Sequence, residues 1–158
     1  MPRLTNIDKQ ARDTHARLVA VATESLRAVA LQLYKEVVTD AKTAGNYGSP
    51  VASGRFAAST RLSLNVIDTS TAPADRGYRY PEGKGPRPLP PRTIPNQPIA
   101  AISAKLRAFK LGDTIYVSNS VPYVRRIEVA GHSWQTPDGV FTVTIRRLEQ
   151  NFRNVSVR

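Results

Sequence analysis

Between residues 7 and 43 the chain contains neither glycine nor proline, and alanine, leucine, arginine, lysine, glutamate and glutamine recur throughout the stretch. These are strong helix formers, and nothing in the run supplies a turn, so the sequence predicts one long helix, with a kink near residues 23–25 as the alternative. Asn6 is the expected N-cap and Gly45 the expected stop. Ile7, Ala11, Leu18, Ala22, Leu26, Val29, Leu33, Val37 and Ala41 form an apolar stripe, with Arg12, Arg17, Glu24, Arg27, Lys35 and Asp40 elsewhere on the helix. Unbroken, such a helix reaches about 53 Å, whereas a compact chain of this size has a radius of gyration of about 15 Å. The helix is therefore expected to overhang its own domain. Its stripe then needs a second surface, and a neighbouring copy of the chain is the simplest supply. Leu26, Val29 and Leu33 are accordingly candidate subunit contacts.

The remainder reads as short elements around a long irregular insertion. A loop at 47–56 feeds a short helix capped by Ser53. Leu62, Leu64 and Val66 alternate with Arg61, Ser63 and Asn65, which predicts a strand over 61–67. Residues 99–109 read as a helix through Ile102, Leu106 and Phe109. Ile115 and Val117 alternate with Tyr116 and Ser118 as a second strand, which Asn119 stops. Pro122 suits the start of a short helix carrying Tyr123 and Ile127, with Arg125, Arg126 and Glu128 turned outward and Gly131 as its stop. Phe141, Ile145, Leu148, Phe152 and Val155 step by three and four, the pattern of a closing helix, although Phe141, Val143 and Ile145 could also begin as a strand. Together these give an α+β fold: one domain over 1–158, with a long N-terminal helix on a small, mostly antiparallel sheet, short helices and a long proline-rich loop.

That loop, at 69–98, differs in kind. Eight of the twelve prolines lie between Pro73 and Pro98, interleaved with Arg76, Tyr78, Arg79, Tyr80, Lys84, Arg87 and Arg92. A structureless connection of this length inside a compact domain is normally functional or disordered. It reads as an extended arm reaching onto a neighbour, or as a basic loop facing nucleic acid.

Charge narrows the choice of partner. The 23 lysines and arginines exceed the 12 acids by 11. Residues 1–70 hold nine basic and six acidic groups, 71–97 five and two, and 98–158 nine and four, so the excess divides as +3, +3 and +5. No basic tail carries it. A basic surface or channel fits that spread better than a nucleic-acid-binding arm, and phosphate contacts of this kind give affinity without sequence readout. No window is apolar enough to span a membrane, and the absence of cysteine excludes disulfides and thiolate metal sites. The charged N-terminal stretch reads as helix rather than as a signal peptide, so the expected compartment is a cytoplasm.

Catalytic constellations are not apparent. Of the two histidines, His15 lies among charges on the long helix. Glu128 and His132 have the spacing of two ligands on one helical face, but Gly131 intervenes and no third ligand suggests itself. His132-Ser133 lacks a nucleophile elbow, and glycine-rich phosphate loops are absent. The expectation is no catalytic residue, no cofactor and no metal. Trp134 is either an interface anchor or a core residue.

Two stretches carry a resemblance. Ser49-Pro50-Val51-Ala52-Ser53-Gly54-Arg55-Phe56-Ala57-Ala58-Ser59 resembles the Pro-Val-Asp-Thr-Gly-Arg-Leu-Arg-x-Ser signature of the tail-completion, or neck, proteins of tailed bacteriophages. Asp113-Thr114-Ile115-Tyr116-Val117-Ser118-Asn119, then Val121-Pro122-Tyr123, Ile127-Glu128, Gly131, Ser133, Pro137 and Gly139 follow that family's second block in order. The blocks cover about a third of the chain, and a variable insertion separates them as in the family. Ser53 replaces the usual Thr, Ala52 replaces the frequent Asp, and Glu128 and Gly131 stand one residue further apart than the common pattern. The resemblance implies a non-enzymatic virion protein made in the host cytoplasm. Such a protein assembles as a ring, expected to be a hexamer, at the head–tail junction, between the head connector and the tail terminator or tube, with genome DNA passing through it. On that reading Leu26, Val29, Leu33, Tyr123, Glu128 and Trp134 carry subunit contacts. Arg76, Arg79, Lys84, Arg87, Arg92, Arg125 and Arg126 face DNA or an adjacent ring. The alternative is a stand-alone basic nucleic-acid-binding module.

Overall fold

The computed structural model describes residues 3–39, 48–50, 54–72, 97–131, 133 and 135–153. Helix α1 runs unbroken over Arg3–Val38. Its 36 residues correspond to about 54 Å of axis, and no kink divides it near residues 23–25. It begins before Asn6, which lies inside the first turn rather than capping it, and it ends before Thr43. Thr39 closes it: its N–H reaches the carbonyls of Lys35 and Glu36, and its own carbonyl accepts the Ser49 N–H at 2.7 Å. Ala41, Gly45 and Ser53 lie outside the described residues.

The described chain continues with α2 (Arg55–Ser59), β1 (Thr60–Leu64), α3 (Ile99–Arg107), β2 (Ile115–Asn119), α4 (Val124–Glu128) and α5 (Phe141–Arg153). Gly54, not Ser53, is the N-cap of α2: its left-handed φ of 71° turns the chain into the helix with no side-chain cap. β1 stops at Leu64, short of the expected 67, because Asn65 adopts φ 62°. Asn65 and Asp113 then lock the loops at that end. The Asn65 amide donates to Asp113 Oδ1 at 3.0 Å and its Oδ1 accepts the Thr114 N–H at 2.9 Å. The segment from Phe141 is helical, not a strand.

β1 and β2 pair antiparallel, with Leu62 opposite Val117 and Leu64 opposite Ile115. One face of this ribbon lies against α1 and α3. The core there is Ala30, Tyr34, Leu62, Ile102 and Leu106, flanked by Leu31, Val38, Ile115 and Val117. A second cluster joins Val37, Phe56, Val121, Ile127 and Val140, with Leu33, Tyr123, Val124 and Phe141 packed on it. The long helix on a small antiparallel sheet with short helices is therefore the α+β arrangement that the sequence predicts.

The face that α1 buries is not the single stripe expected. Ala30, Tyr34 and Val37 are buried. Ile7, Leu18, Val21 and Leu26 are 61, 65, 57 and 44% exposed, and residues 6–18 are exposed on every side of the helix. At about 100° per residue, Ile7, Ala11 and Leu18 point roughly 130° away from the Ala30–Tyr34–Val37 face. The exposed stripe is thus a second apolar face, carried on the half of α1 that projects beyond the domain.

Candidate assembly surface

The motif residues between 113 and 139 are held to one another and to the first motif block by backbone-directed bonds. Asn119 ends β2. Its Nδ2 donates to the Phe56 carbonyl at 2.8 Å and to Thr60 Oγ1 at 3.1 Å, while its Oδ1 accepts the Val121 N–H at 3.2 Å. One side chain therefore closes the strand and joins the two blocks. Pro122 follows at the corner, and α4 begins directly afterwards with no side-chain cap at Tyr123.

Glu128, the last residue of α4, reaches the beginning of α5. Its Oε1 accepts the N–H groups of Val140 at 2.9 Å and Phe141 at 3.1 Å. A carboxylate at that position satisfies two donors that a helix start leaves open and opposes the positive end of the 13-residue α5 dipole. Gly139 makes the approach possible. At φ 85° its backbone passes so close that a Cβ would meet Glu128 Oε2 at 2.8 Å and the Glu128 carbonyl at 3.0 Å. Gly131, at φ 58°, faces the Pro137 carbonyl in the same way. Bonds from Thr136 N–H to the Ser133 carbonyl and from Gly139 N–H to the Thr136 carbonyl complete the loop. Phe56 and Phe141 then stack tilted beneath it, centroids 6.4 Å apart.

The predicted contact residues are distributed unevenly. Tyr123 is half-buried on the second cluster, and burial raises its phenol pKa against the opposing pull of Arg55. Leu33 packs on that cluster and Val29 is half-buried, so both partly serve the domain itself. Leu26 is the most exposed of the three on α1. Arg125 and Arg126 stand exposed on α4. Glu128 is half-buried and has an intramolecular task. Arg76, Arg79, Lys84, Arg87, Arg92, His132 and Trp134 lie outside the described residues. His15 is exposed on the projecting half of α1. No group of three potential metal-ligating side chains occurs among the described residues, and no described helix is long and apolar enough to cross a membrane.

Several cations that the charge count treated alike are engaged within the domain. Arg27 donates to the carbonyls of Arg107 at 2.9 Å and Phe109 at 2.7 Å, closing the C-terminal end of α3. Arg61 is buried, with bonds to Ser70 Oγ at 2.8 Å and to the Ala58 and Thr60 carbonyls. Lys105 Nζ donates to the Leu62 carbonyl at 2.9 Å. Sequence gave little sign of this. Arg61 occupies a strand position whose alternation suggests solvent, and Arg27 lies three residues from Glu24, the spacing of a surface ion pair. Arg125 and Arg126, by contrast, stand on an exposed face.

The chain matches no family model, no curated protein and no solved structure.

Proposed function

We propose that the protein is a structural virion component of a tailed bacteriophage, forming a ring at the neck between head and tail through which genome DNA passes. The observation that carries this reading is the projecting half of α1. It presents Ile7, Leu18 and Val21 to solvent on a face the domain cannot reach, and apolar stripes on long amphipathic helices are covered in working assemblies. The resemblance of the two motif blocks to the neck proteins supports this choice, and Asn119 of the second block bonds to the Phe56 carbonyl of the first. Exposed Arg125 and Arg126 suit a surface near DNA or an adjacent ring. A closed ring repeats one heterologous interface, so each copy needs two different complementary faces.

Sedimentation and negative-stain microscopy of the purified protein, alone and mixed with head-connector and tail-terminator proteins, test the reading. Closed rings, or incorporation into a connector complex, are expected. A persistent monomer that ignores these partners yet binds free duplex DNA tightly, with affinity falling steeply as salt rises, would instead identify a stand-alone nucleic-acid-binding module.

A further inference from the structure

From Ile7 to Lys35 on α1, every position reached by alternate steps of four and three is exposed. That spacing is the seam of a heptad repeat. The seam is therefore exposed along the half of α1 that carries the domain as well as along the half that projects from it. Ile7, Leu18 and Val21 are its large apolar members, at 61, 65 and 57% exposed. Its other members up to residue 28 are alanine, threonine or serine, side chains small enough for another helix to approach closely. A single seam of this width is covered by one further helix, and α1 of a second copy complements it.

We propose that two copies pair antiparallel through α1, with Leu18 of each opposite Val21 of the other, Thr14 opposite Ser25 and Ala11 opposite Ala28. Residues 7–32 of both copies then overlap along about 39 Å of axis. The charges on the flanks select this arrangement. Arg17 of each copy faces Glu24 of the other, an opposite-charge pair made twice. The Glu24 side chain is 71% exposed while it bonds Arg27 on its own helix, so Arg17 adds a second cation to it. Sliding the pair by one heptad, with Thr14 opposite Leu18, sets Arg17 against Arg17 and leaves no opposite-charge pair. A parallel pair sets Arg17 opposite Ala22 and Glu24 opposite Val29, again with no ion pair, and places both domains at one end. The contact is two-fold, so it joins two copies and cannot itself close a ring. It goes beyond the neck reading and does not depend on it: it is the state of the free chain, and it covers the stripe that a ring would use.

The chain has no cysteine, so disulfide trapping is clean. Sedimentation of the full chain over a range of concentrations should show a monomer–dimer equilibrium. On oxidation, an Ala11→Cys chain mixed with a size-tagged Ala28→Cys chain should give the mixed disulfide, and neither chain alone should cross-link. Both sites are exposed, so neither substitution empties the core. Arg17→Glu sets like charges against Glu24 twice and should weaken dimerisation about fivefold or more at an unchanged melting temperature. Arg17→Glu with Glu24→Arg exchanges the two charges and should restore it. A free chain that stays monomeric or forms rings without the mixed disulfide overturns the pairing and leaves the neck reading standing. Cross-linking of Ala11→Cys to itself, or unchanged dimerisation of Arg17→Glu, overturns it equally. A trapped antiparallel dimer from a protein absent from the phage neck upholds the pairing and overturns the neck reading.

Discussion

Glu128 lies directly over Gly139, with its carboxylate accepting the N–H groups of the two residues that follow that glycine. Gly139→Ala should therefore destabilise the domain by about 1–3 kcal/mol, from the positive φ together with the contact at Glu128. Glu128→Gln keeps an acceptor and should lose about 0.3–1 kcal/mol, whereas Glu128→Ala strands two donors and should lose about 1–3 kcal/mol. Urea unfolding of the three variants checks the order, and equal losses for Gln and Ala would remove the capping role.

Arg27 makes the corresponding closure at α3. Arg27→Leu abandons the carbonyls of Arg107 and Phe109 and should cost about 1.5–3 kcal/mol. Glu24→Ala removes only its exposed ion-pair partner and should change stability by under about 0.5 kcal/mol. Chemical denaturation of both variants separates the two bonds.

The two apolar faces of α1 should respond oppositely. Leu18→Asp with Val21→Asp alters exposed positions and should leave unfolding within about 0.5 kcal/mol of the parent while abolishing assembly. Tyr34→Ala empties a fully buried site and should cost about 3–5 kcal/mol. Leu26→Asp with Val29→Asp should show both effects, because Val29 is half-buried. Sedimentation and melting curves read the two effects separately.

The pH dependence follows from three groups. Asp113 is held below its ordinary 3.8 first by the Asn65 side chain and then by the Lys110 N–H. Asp68 is held below the same value by Ser70, through its side chain and its N–H. A depressed carboxyl contributes stability that is present above the unfolded value and lost as pH falls through the folded one. Melting temperature should therefore drop below about pH 4, and less steeply in Asp113→Asn. Burial pushes Tyr34 from 10.0 up to about 12 against the pull of Arg61. Between those values the unfolded chain has released a proton that the folded chain retains, so stability falls as pH rises from 10.0 to about 12. Tyr34→Phe should flatten that alkaline limb.

The long helix was legible because a run without glycine or proline has few other local solutions, and both strands followed from alternation at Leu62, Leu64, Ile115 and Val117. Periodicity alone could not show where along α1 the domain ends. It therefore joined Ile7 and Leu18 to Val37 in one stripe, although the helix turns different faces to the core and to solvent. The tasks of Arg27, Arg61 and Glu128 depend on carbonyls and N–H groups that only folding brings near. Glu128 reaches backbone 12 and 13 residues away, so its outward, contact-forming role could not be distinguished from a capping one by spacing.

Immuno-electron microscopy of intact phage particles, with antibody raised against this protein, locates it in the virion. Label at the collar between head and tail is expected; label within the capsid or at the tail tip would rule out the neck assignment.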